Sequence, residues 1–169
     1  GIDVALLYDS TKVKVLDSKP LRVDLNEDNT RDILYVKTLL HERDTVHVMV
    51  CHLPSRLGGG AATECKRLKA KQVIQQQIDS VLHQQPQAQI VIMGDMNDEA
   101  KNDLSGMSNQ MIAMERVGQG THKYQGIWSC LDQFYVSEKM KERCVVQIYS
   151  PEWLLEEDTK YLDYQPNRT

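Results

Sequence analysis

Little in this sequence ties it to a membrane, a disulfide scaffold or the surface of a nucleic acid. No apolar run approaches the ~20 residues that a spanning helix needs. The opening GIDVALLYDS reads as a strand rather than a leader, although a processed or shortened N-terminus would hide a lost signal, so location stays open. Positive charge is short: 20 Lys and Arg stand against 24 Asp and Glu, a net charge of −4. A protein that binds nucleic acid by bulk electrostatics is usually basic, so this balance disfavours that mode. It permits an enzyme acting on phosphate esters in which a cation supplies the positive charge. Aromatic residues are only 6% of the chain and form no basic, aromatic stripe of the kind that grips single strands. The four cysteines, Cys51, Cys65, Cys130 and Cys144, form no CxxC, and no His stands at zinc-finger spacing. Cys51 and Cys130 fall in apolar strand patterns and read as buried, reduced thiols; a disulfide cannot be read from spacing.

What remains is a chain of 169 residues with 41% hydrophobic and 26% charged content, the balance of a globular domain. Strands are expected at 2–8, at 12–16 and 21–25 with a Ser-Lys-Pro turn between them, and at 33–40 and 45–53 joined by the hairpin-like HERD. In the last of these, Val46, Val48, Val50 and His52 share one face, and His47, Met49, Cys51 and Leu53 share the other. Both faces are largely apolar, which suggests a central strand covered on both sides. PSRLGGG reads as a loop. A helix follows over 61–84, with Cys65, Val73, Ile74, Ile78, Val81 and Leu82 on its apolar side and Lys66, Lys69, Lys71 and the glutamines mostly opposite. Pro86 ends it. Strand 90–93 comes next, then a stretch over 98–120 in which Met107, Met111 and Met114 suggest a short helix packing on the core. Strands are expected again at 129–137 and 144–150, with a charged turn between. The tail shows no obvious strand. The expected class is α/β, a layered sandwich forming a single domain over 1–169.

The informative residues sit where strands end. QIVIMGDMNDEA runs from four apolar residues into Gly94, Asp95, Asn97, Asp98 and Glu99. TVHVMVCHLPSR ends likewise in His52, Ser55 and Arg56. If the helix 61–84 is a crossover within one sheet, the two strands are parallel and their ends converge. His52 and Asp95 then meet at the edge where α/β sheets commonly place ligands.

The ordered set VCHLPSR, then an amphipathic helix, then IVIMGDMND, then WSCLDQFYVS resembles the endonuclease/exonuclease/phosphatase superfamily, the deoxyribonuclease-like fold. The opening GIDVALLYD and the segment TRDILYV share the likeness, which covers nearly the whole chain and is nearest to uncharacterised bacterial members. GDMN alone would be a weak signal. The resemblance implies metal-assisted hydrolysis of a phosphodiester or phosphomonoester, with Mg²⁺ or Mn²⁺ polarising the phosphate. It implies that Asp95 activates water, that Asn97 contacts the phosphate and that His52 hydrogen-bonds the scissile phosphate or acts as an acid. Asp132 is expected to orient a second His. Each also has an ordinary structural role open to it: a turn-capping Asp95, a turn-forming Asn97, a core His52, an Asp132 paired to a nearby cation. Arg56, and more weakly Arg31, could bind phosphate oxygens, as could Ser55, for which capping the loop is the preferred role. Structural roles are preferred for His122 and Trp128, and packing or surface roles for His41, His47 and His83.

The same resemblance marks what is not present. The family's early Asn and Glu, the Glu being its main metal ligand, precede anything like GIDVALLYD. Its closing Ser-Asp-His strand would fall after QPNRT, and the tail acids Glu156, Asp158 and Asp163 lie in no such setting. The implied reading is a domain incomplete at both ends, weak or inactive alone, whose exposed sheet edges invite self-association. Its partner would be a phosphate-ester substrate, with nucleic acid not favoured over a small molecule and no membrane span. The alternative is a non-catalytic binding module on the same fold.

Overall fold

A computed structural model describes residues 3–26, 28–158, 160 and 163–166. Its centre is a six-stranded mixed sheet. The strands, in chain order, are β1 (Val13–Leu21), β2 (Ile33–Leu40), β3 (Asp44–His52), β4 (Gln89–Asp95), β5 (Met107–Asn109) and β8 (Asp132–Ser137). They stand in the order β1-β2-β3-β4-β8-β5. A single long helix, α1 (Gly60–Gln84), joins β3 to β4, and these two strands are parallel as the crossover requires. The other pairings in this sheet are antiparallel.

The apolar periodicity explains the core. Tyr35, Met49, Cys51, Ile90, Ile92 and Tyr135 point to one face of the sheet, where Ala70, Ile74, Ile78 and Val81 of α1 cover them. Ile74, Ile78, Ile90 and Ile92 are fully buried, each contributing roughly 1.5–3 kcal/mol. The opposite face carries Val48, Val50, Val91, Met93 and Phe134, all half-buried. The expected cover on both sides of β3 is therefore seen on one side only among the described residues. His52, Asp95 and Asp132 continue the alternation of this second face.

β2, β3, α1 and β4 lie within a residue or two of their expected bounds. The β2–β3 turn uses His41 and Glu42 at φ 49° and 56°, the left-handed pair typical of a tight hairpin. Other segments differ. The expected turn at Ser18-Lys19-Pro20 is instead part of β1, and 21–25 is not a separate strand. Pro20 is tolerated because β1, among the described residues, is an edge strand that pairs with β2 alone. Residues 3–8 make no described ladder, and Leu7 is 96% exposed; Ile2 lies outside the described residues. The expected strand 129–137 is broken at Cys130–Leu131 into β7 (Ile127–Ser129) and β8. β7 pairs with β6 (His122–Tyr124) as a hairpin beside the main sheet. The methionine stretch supplies β5 and then α2 (Ile112–Arg116), with Met107 and Met111 buried.

The expected charged turn after β8 opens as a helical turn, α3 (Glu138–Lys141). The expected strand 144–150 forms no ladder; Val145 and Tyr149 stand 98% and 75% exposed, and β8 already has β4 and β5 on its two sides. The tail, expected without strands, forms the hairpin of β9 (Leu155–Asp158) and β10 (Asp163–Pro166). The side chains of Asp158 and Asp163, and residues 167–169, lie outside the described residues.

The helix departs from its expected faces as well. Cys65 is exposed. Lys71, assigned to the solvent side, is 7% exposed, and Arg67 is 3% exposed. Both lie on the stripe that continues through Ile74, Ile78 and Val81. The sheet's edges are blunted: β5 has three residues, and β1 carries Lys14, Lys19, Pro20 and a register shift between Val15 and Asp17. Among the described residues no helix is long and apolar enough to cross a membrane.

Candidate active site

The register brings three chemical side chains into one row. His52, the last residue of β3, stands opposite Asp95, the last of β4. Asp95 stands opposite Asp132, the first of β8. All three occupy the face turned away from α1. Two backbone bonds close the ladder here: Leu53 N–H donates to Asp95 O (2.8 Å) and Met96 N–H to Leu131 O (2.8 Å). Thr121 Oγ1 accepts the Asp132 N–H at 3.0 Å and holds the start of β8.

Gly94 is what allows β3 and β4 to come this close. Its φ is 134°, and a Cβ built on it would lie 1.9 Å from Cys51 O. Only glycine fits. Beyond it the chain turns sharply. Asn97 adopts φ 48°, a left-handed conformation that Asn tolerates better than most residues. The Asn97 N–H donates to Asp95 Oδ1 at 2.7 Å, and Asn97 Nδ2 donates to Leu53 O at 3.0 Å. Asn97 is thus 8% exposed and pinned between the ends of β3 and β4.

The second oxygen of Asp95 faces His52: Oδ2 lies 3.6 Å from His52 Nε2, with the side chains 29% and 38% exposed. That separation is too long for a direct hydrogen bond and short enough for a charge contact. Burial raises the Asp95 carboxyl above its usual value, and the Asp132 carboxylate adds to this. The Asn97 N–H and the His52 and His122 rings pull the other way without cancelling it. An acid with a raised pKa is a better base when ionised and carries a proton more readily.

A cavity of about 730 Å³ is lined by Ser55, Arg56, Asn97 and His122 among others; His52, Asp95 and Asp132 do not line it, and Asp132 instead lines a second cavity of about 450 Å³ together with Trp128. Ser55 Oγ accepts the Leu57 N–H at 3.1 Å, which is the loop-capping role preferred for it. Arg56 folds back along the loop, its Nε 3.3 Å from where a Gly60 Cβ would stand. Arg31 is half-buried and, by the pairing of Leu34 with Val50, lies toward the His52 end of the sheet but outside this cavity. His122, expected to be structural, lines the cavity and acts electrostatically on Asp95. Trp128 is on the other side of the β6–β7 hairpin, its ring 5.7 Å from Lys123 Nζ. His47 is a packing residue, its Nδ1 2.7 Å from Tyr35 Oη in the core. Cys51 is a buried thiol pushed up to about 12 by burial, and Cys130 one pushed up to about 11, so neither is a ready nucleophile.

A buried polar network fixes the loop that follows Asn97. Lys71 Nζ donates to Asp98 Oδ2 at 2.8 Å and to Asp103 Oδ2 at 2.6 Å. Tyr135 Oη donates to Asp103 Oδ1 and lies in reach of Gln133 Oε1, which also accepts from Asn109 Nδ2. Gln133 Nε2 donates to Asp98 O. Glu115 completes the frame, Oε2 accepting the Ala100 N–H and Oε1 the Cys130 N–H. Burial alone would raise the Asp98 carboxyl, but the bonds from Lys71 and Lys101 hold it at about 2. Lys71 marks this network in the sequence, since it occupies a position of the apolar stripe where a cation requires a buried anion.

Among the described residues no group of three or more His, Cys, Asp or Glu side chains is placed to hold an ion. The row by itself does not make a metal centre.

The fold has relatives among solved structures. A truncated TDP2 of Caenorhabditis elegans superposes with a TM-score of 0.60 at 16% identity, over 76% of this chain and 54% of that one. The human Nocturnin catalytic domain with bound sulfate anion gives 0.56 at 17% identity, over 76% and 50%. TDP2 of D. rerio complexed with a single-strand DNA product gives 0.55 at 16% identity, over 91% and 64%. The chain thus spans about half the length of the first two. No curated protein matches its sequence. The model of the Endonuclease/Exonuclease/phosphatase family matches residues 1–169. This chain belongs to the endonuclease/exonuclease/phosphatase family.

Proposed function

We propose that the row His52–Asp95–Asp132, with Asn97 and His122 beside it, is the phosphate-handling site of a phosphoric ester hydrolase. One observation carries this: His52, Asp95 and Asp132 stand in register on three adjacent strands with their side chains on one face of the sheet. Asp95 orients and deprotonates the attacking water through Oδ2, while Oδ1 stays tied to the Asn97 N–H. The water oxygen bonds to phosphorus, the bond to the leaving oxygen breaks, and an imidazolium of His52 or His122 returns a proton to that oxygen. Asn97 steadies the site, Asp132 orients an imidazole, and Arg56, Arg31 and Ser55 are the candidate phosphate contacts. The sulfate bound to Nocturnin and the DNA product bound to TDP2 support anion and phosphodiester binding on this fold.

A divalent cation, Mg²⁺ or Mn²⁺, would stabilise the developing charge, with part of its ligand set from outside the described residues. The 169-residue chain is accordingly proposed as part of a longer domain, slow on its own. Self-association is no part of the proposal, because the blunted edges give it no support. The second reading is a binding module without turnover on the same fold.

The test is a panel of phosphodiesters and phosphomonoesters with Mg²⁺, run on the native gene product and on Asp95→Asn. Loss of at least ~100-fold in kcat with unchanged folding is expected, in line with removing a general base. Equal turnover by Asp95→Asn would refute the assignment. No turnover of any ester, together with retained phosphate binding, would move the chain to the binding reading. Brisk magnesium-dependent turnover by the 169-residue chain alone would overturn its proposed weakness.

A further inference from the structure

The first turn of α1 is left open. The chain enters it through Gly58 and Gly59 at φ 91° and 112°, a path that glycine takes without strain. Gly59, the cap residue, brings no side chain to close the turn, and the turn holds no Asp or Glu. Thr63 Oγ1 donates to Gly59 O at 3.1 Å rather than accepting an N–H. The Gly59 N–H goes to Arg56 O and the Thr63 N–H to Gly59 O. The N–H groups of Gly60, Ala61 and Ala62 have no acceptor among the described residues. A helix end of this kind carries a partial positive charge.

Two guanidinium groups add to that charge. Arg67 is 3% exposed, and its head group is directed at the first turn. Its Nη2 donates to Gly60 O at 2.8 Å, and its Nη1 to Thr63 Oγ1 at 2.7 Å and to Pro54 O at 3.4 Å. All three acceptors are neutral, its Nε has no partner, and no carboxylate among the described residues pairs with it. Lys71, one turn on along the same buried stripe, shows the ordinary arrangement, with Asp98 and Asp103 at 2.8 and 2.6 Å. A buried cation without a counter-ion is costly. Arg56 lies over the same turn from outside, its Nε and Nη2 each 3.3 Å from where a Gly60 Cβ would stand. Arg56 and Gly60 both line the 730 Å³ cavity, so this charge faces open space.

We infer that the N-terminus of α1, with Arg56 across it, is a binding site for a phosphate group. The Gly60, Ala61 and Ala62 N–H groups donate to phosphate oxygens, and the Arg56 fork takes a further edge. Arg67 supplies charge through the turn without touching the ligand. Three N–H groups and a guanidinium offer more donors than the two oxygens of a carboxylate can use, and a tetrahedral phosphate matches them better. The site uses none of His52, Asp95 and Asp132 and does not rest on the hydrolase reading. Two sources share its chemistry, free phosphate and a second phosphate carried on the substrate.

The test is a titration of the purified chain with inorganic phosphate, read from the backbone amide resonances, with chloride holding ionic strength constant. The Gly60, Ala61 and Ala62 amides should shift together and saturate. Ala62→Glu sets a carboxylate at an exposed position of the first turn, where it competes for the same N–H groups. Affinity should fall about tenfold or more with the fold preserved, and Ala62→Gln should stay within about twofold of the parent chain. Arg56→Gln should weaken binding about threefold or more. Methyl phosphate and propane-1,3-diyl bisphosphate then separate the sources. A bisphosphate that binds about tenfold more tightly, with the gain lost in Ala62→Glu, identifies a second phosphate of the substrate, and comparable affinities identify free phosphate. Absence of a saturable shift at the three amides, or unchanged affinity in Ala62→Glu, overturns the site. These amides report on the helix alone, so either result stands apart from the turnover of Asp95→Asn.

Discussion

Replacing Lys71 with methionine tests whether the loop behind Asn97 is held by charge. The change keeps the unbranched stem and removes the ammonium that bridges Asp98 and Asp103 at 2.8 and 2.6 Å. The two carboxylates are 16% and 22% exposed, so water cannot fully replace it. Removing one partner of a buried pair costs about 3–5 kcal/mol, and the residual exposure here places the expectation near the lower end. Asp98 gives a second route to the size. Its carboxyl is held at about 2 against an ordinary 3.8, which at ~1.4 kcal/mol per pH unit corresponds to about 2 kcal/mol. Lys101, 3.2 Å from the same oxygen but 48% exposed, recovers only a little.

The pH dependence has a definite sign. In the parent chain the Asp98 contribution is present above the ordinary carboxylate range and is lost as pH falls toward about 2. The Lys71 ammonium is held above its ordinary value by the two carboxylates despite burial, so its contribution fades only in strong base. In Lys71→Met the burial of Asp98 goes uncompensated, its carboxyl rises, and acid relieves the cost. Urea denaturation at pH 7 should therefore show a loss of about 3 kcal/mol that shrinks on acidification to about pH 4.5. The triple variant Lys71→Met/Asp98→Asn/Asp103→Asn should recover much of it. A loss below ~1 kcal/mol at pH 7, or one that stays constant or grows in acid, would refute the reasoning.

Two further substitutions probe the frame of the site. Gly94→Ala places a methyl 1.9 Å from Cys51 O at φ 134°, so β3 and β4 must part. A loss of about 3 kcal/mol or more in denaturant unfolding is expected, together with weaker phosphate binding, and a loss under ~1 kcal/mol would mean that the close approach is not real. Glu115→Ala frees the Ala100 and Cys130 N–H groups. It should cost about 2–3 kcal/mol and speed hydrogen exchange at those two amides, with Glu115→Gln costing less; unchanged exchange would count against the bridge.

The residues that could be read from the sequence are those whose local pattern and tertiary role agree. β2, β3 and β4 alternate or run apolar because they are interior strands, and α1 shows its stripe because Ile74, Ile78 and Val81 face the sheet. The convergence of His52 with Asp95 followed from strand, helix and strand alone, since the crossover dictates a parallel pair. Where the reading failed, tertiary context outweighed the local signal. Ser18-Lys19-Pro20 is turn-like, yet β1 has no partner on its outer side among the described residues and accepts it. Residues 144–150 have strand composition but no described neighbour to pair with. Lys71 was read by its charge when the positions 67, 71, 74, 78 and 81 already mark the buried stripe. The place of His122 on the cavity wall could not be read, because its setting is a three-residue strand whose position depends on a Gln-Gly turn and on the register of a hairpin, and neither is visible as periodicity.

The two roles open to Asp95 from the sequence, capping a turn and serving a reaction, are not alternatives in this fold. Oδ1 accepts the Asn97 N–H at 2.7 Å, as a capping Asp would. That bond fixes the carboxylate plane and leaves Oδ2 toward His52. Asn97 can donate there because its φ of 48° turns the chain back over the end of β4, and its own side chain is anchored on Leu53 O. Gly94 in turn lets β4 lie close enough to β3 for Leu53 to be within reach. Gly94, Asp95 and Asn97 thus each have a separate mechanical reason, and Asp95 Oδ2, the proposed reactive oxygen, is positioned by the same turn that ends the strand. A site built this way loses its geometry when its cap is lost, so the stability of the turn and the positioning of the proposed base fall together.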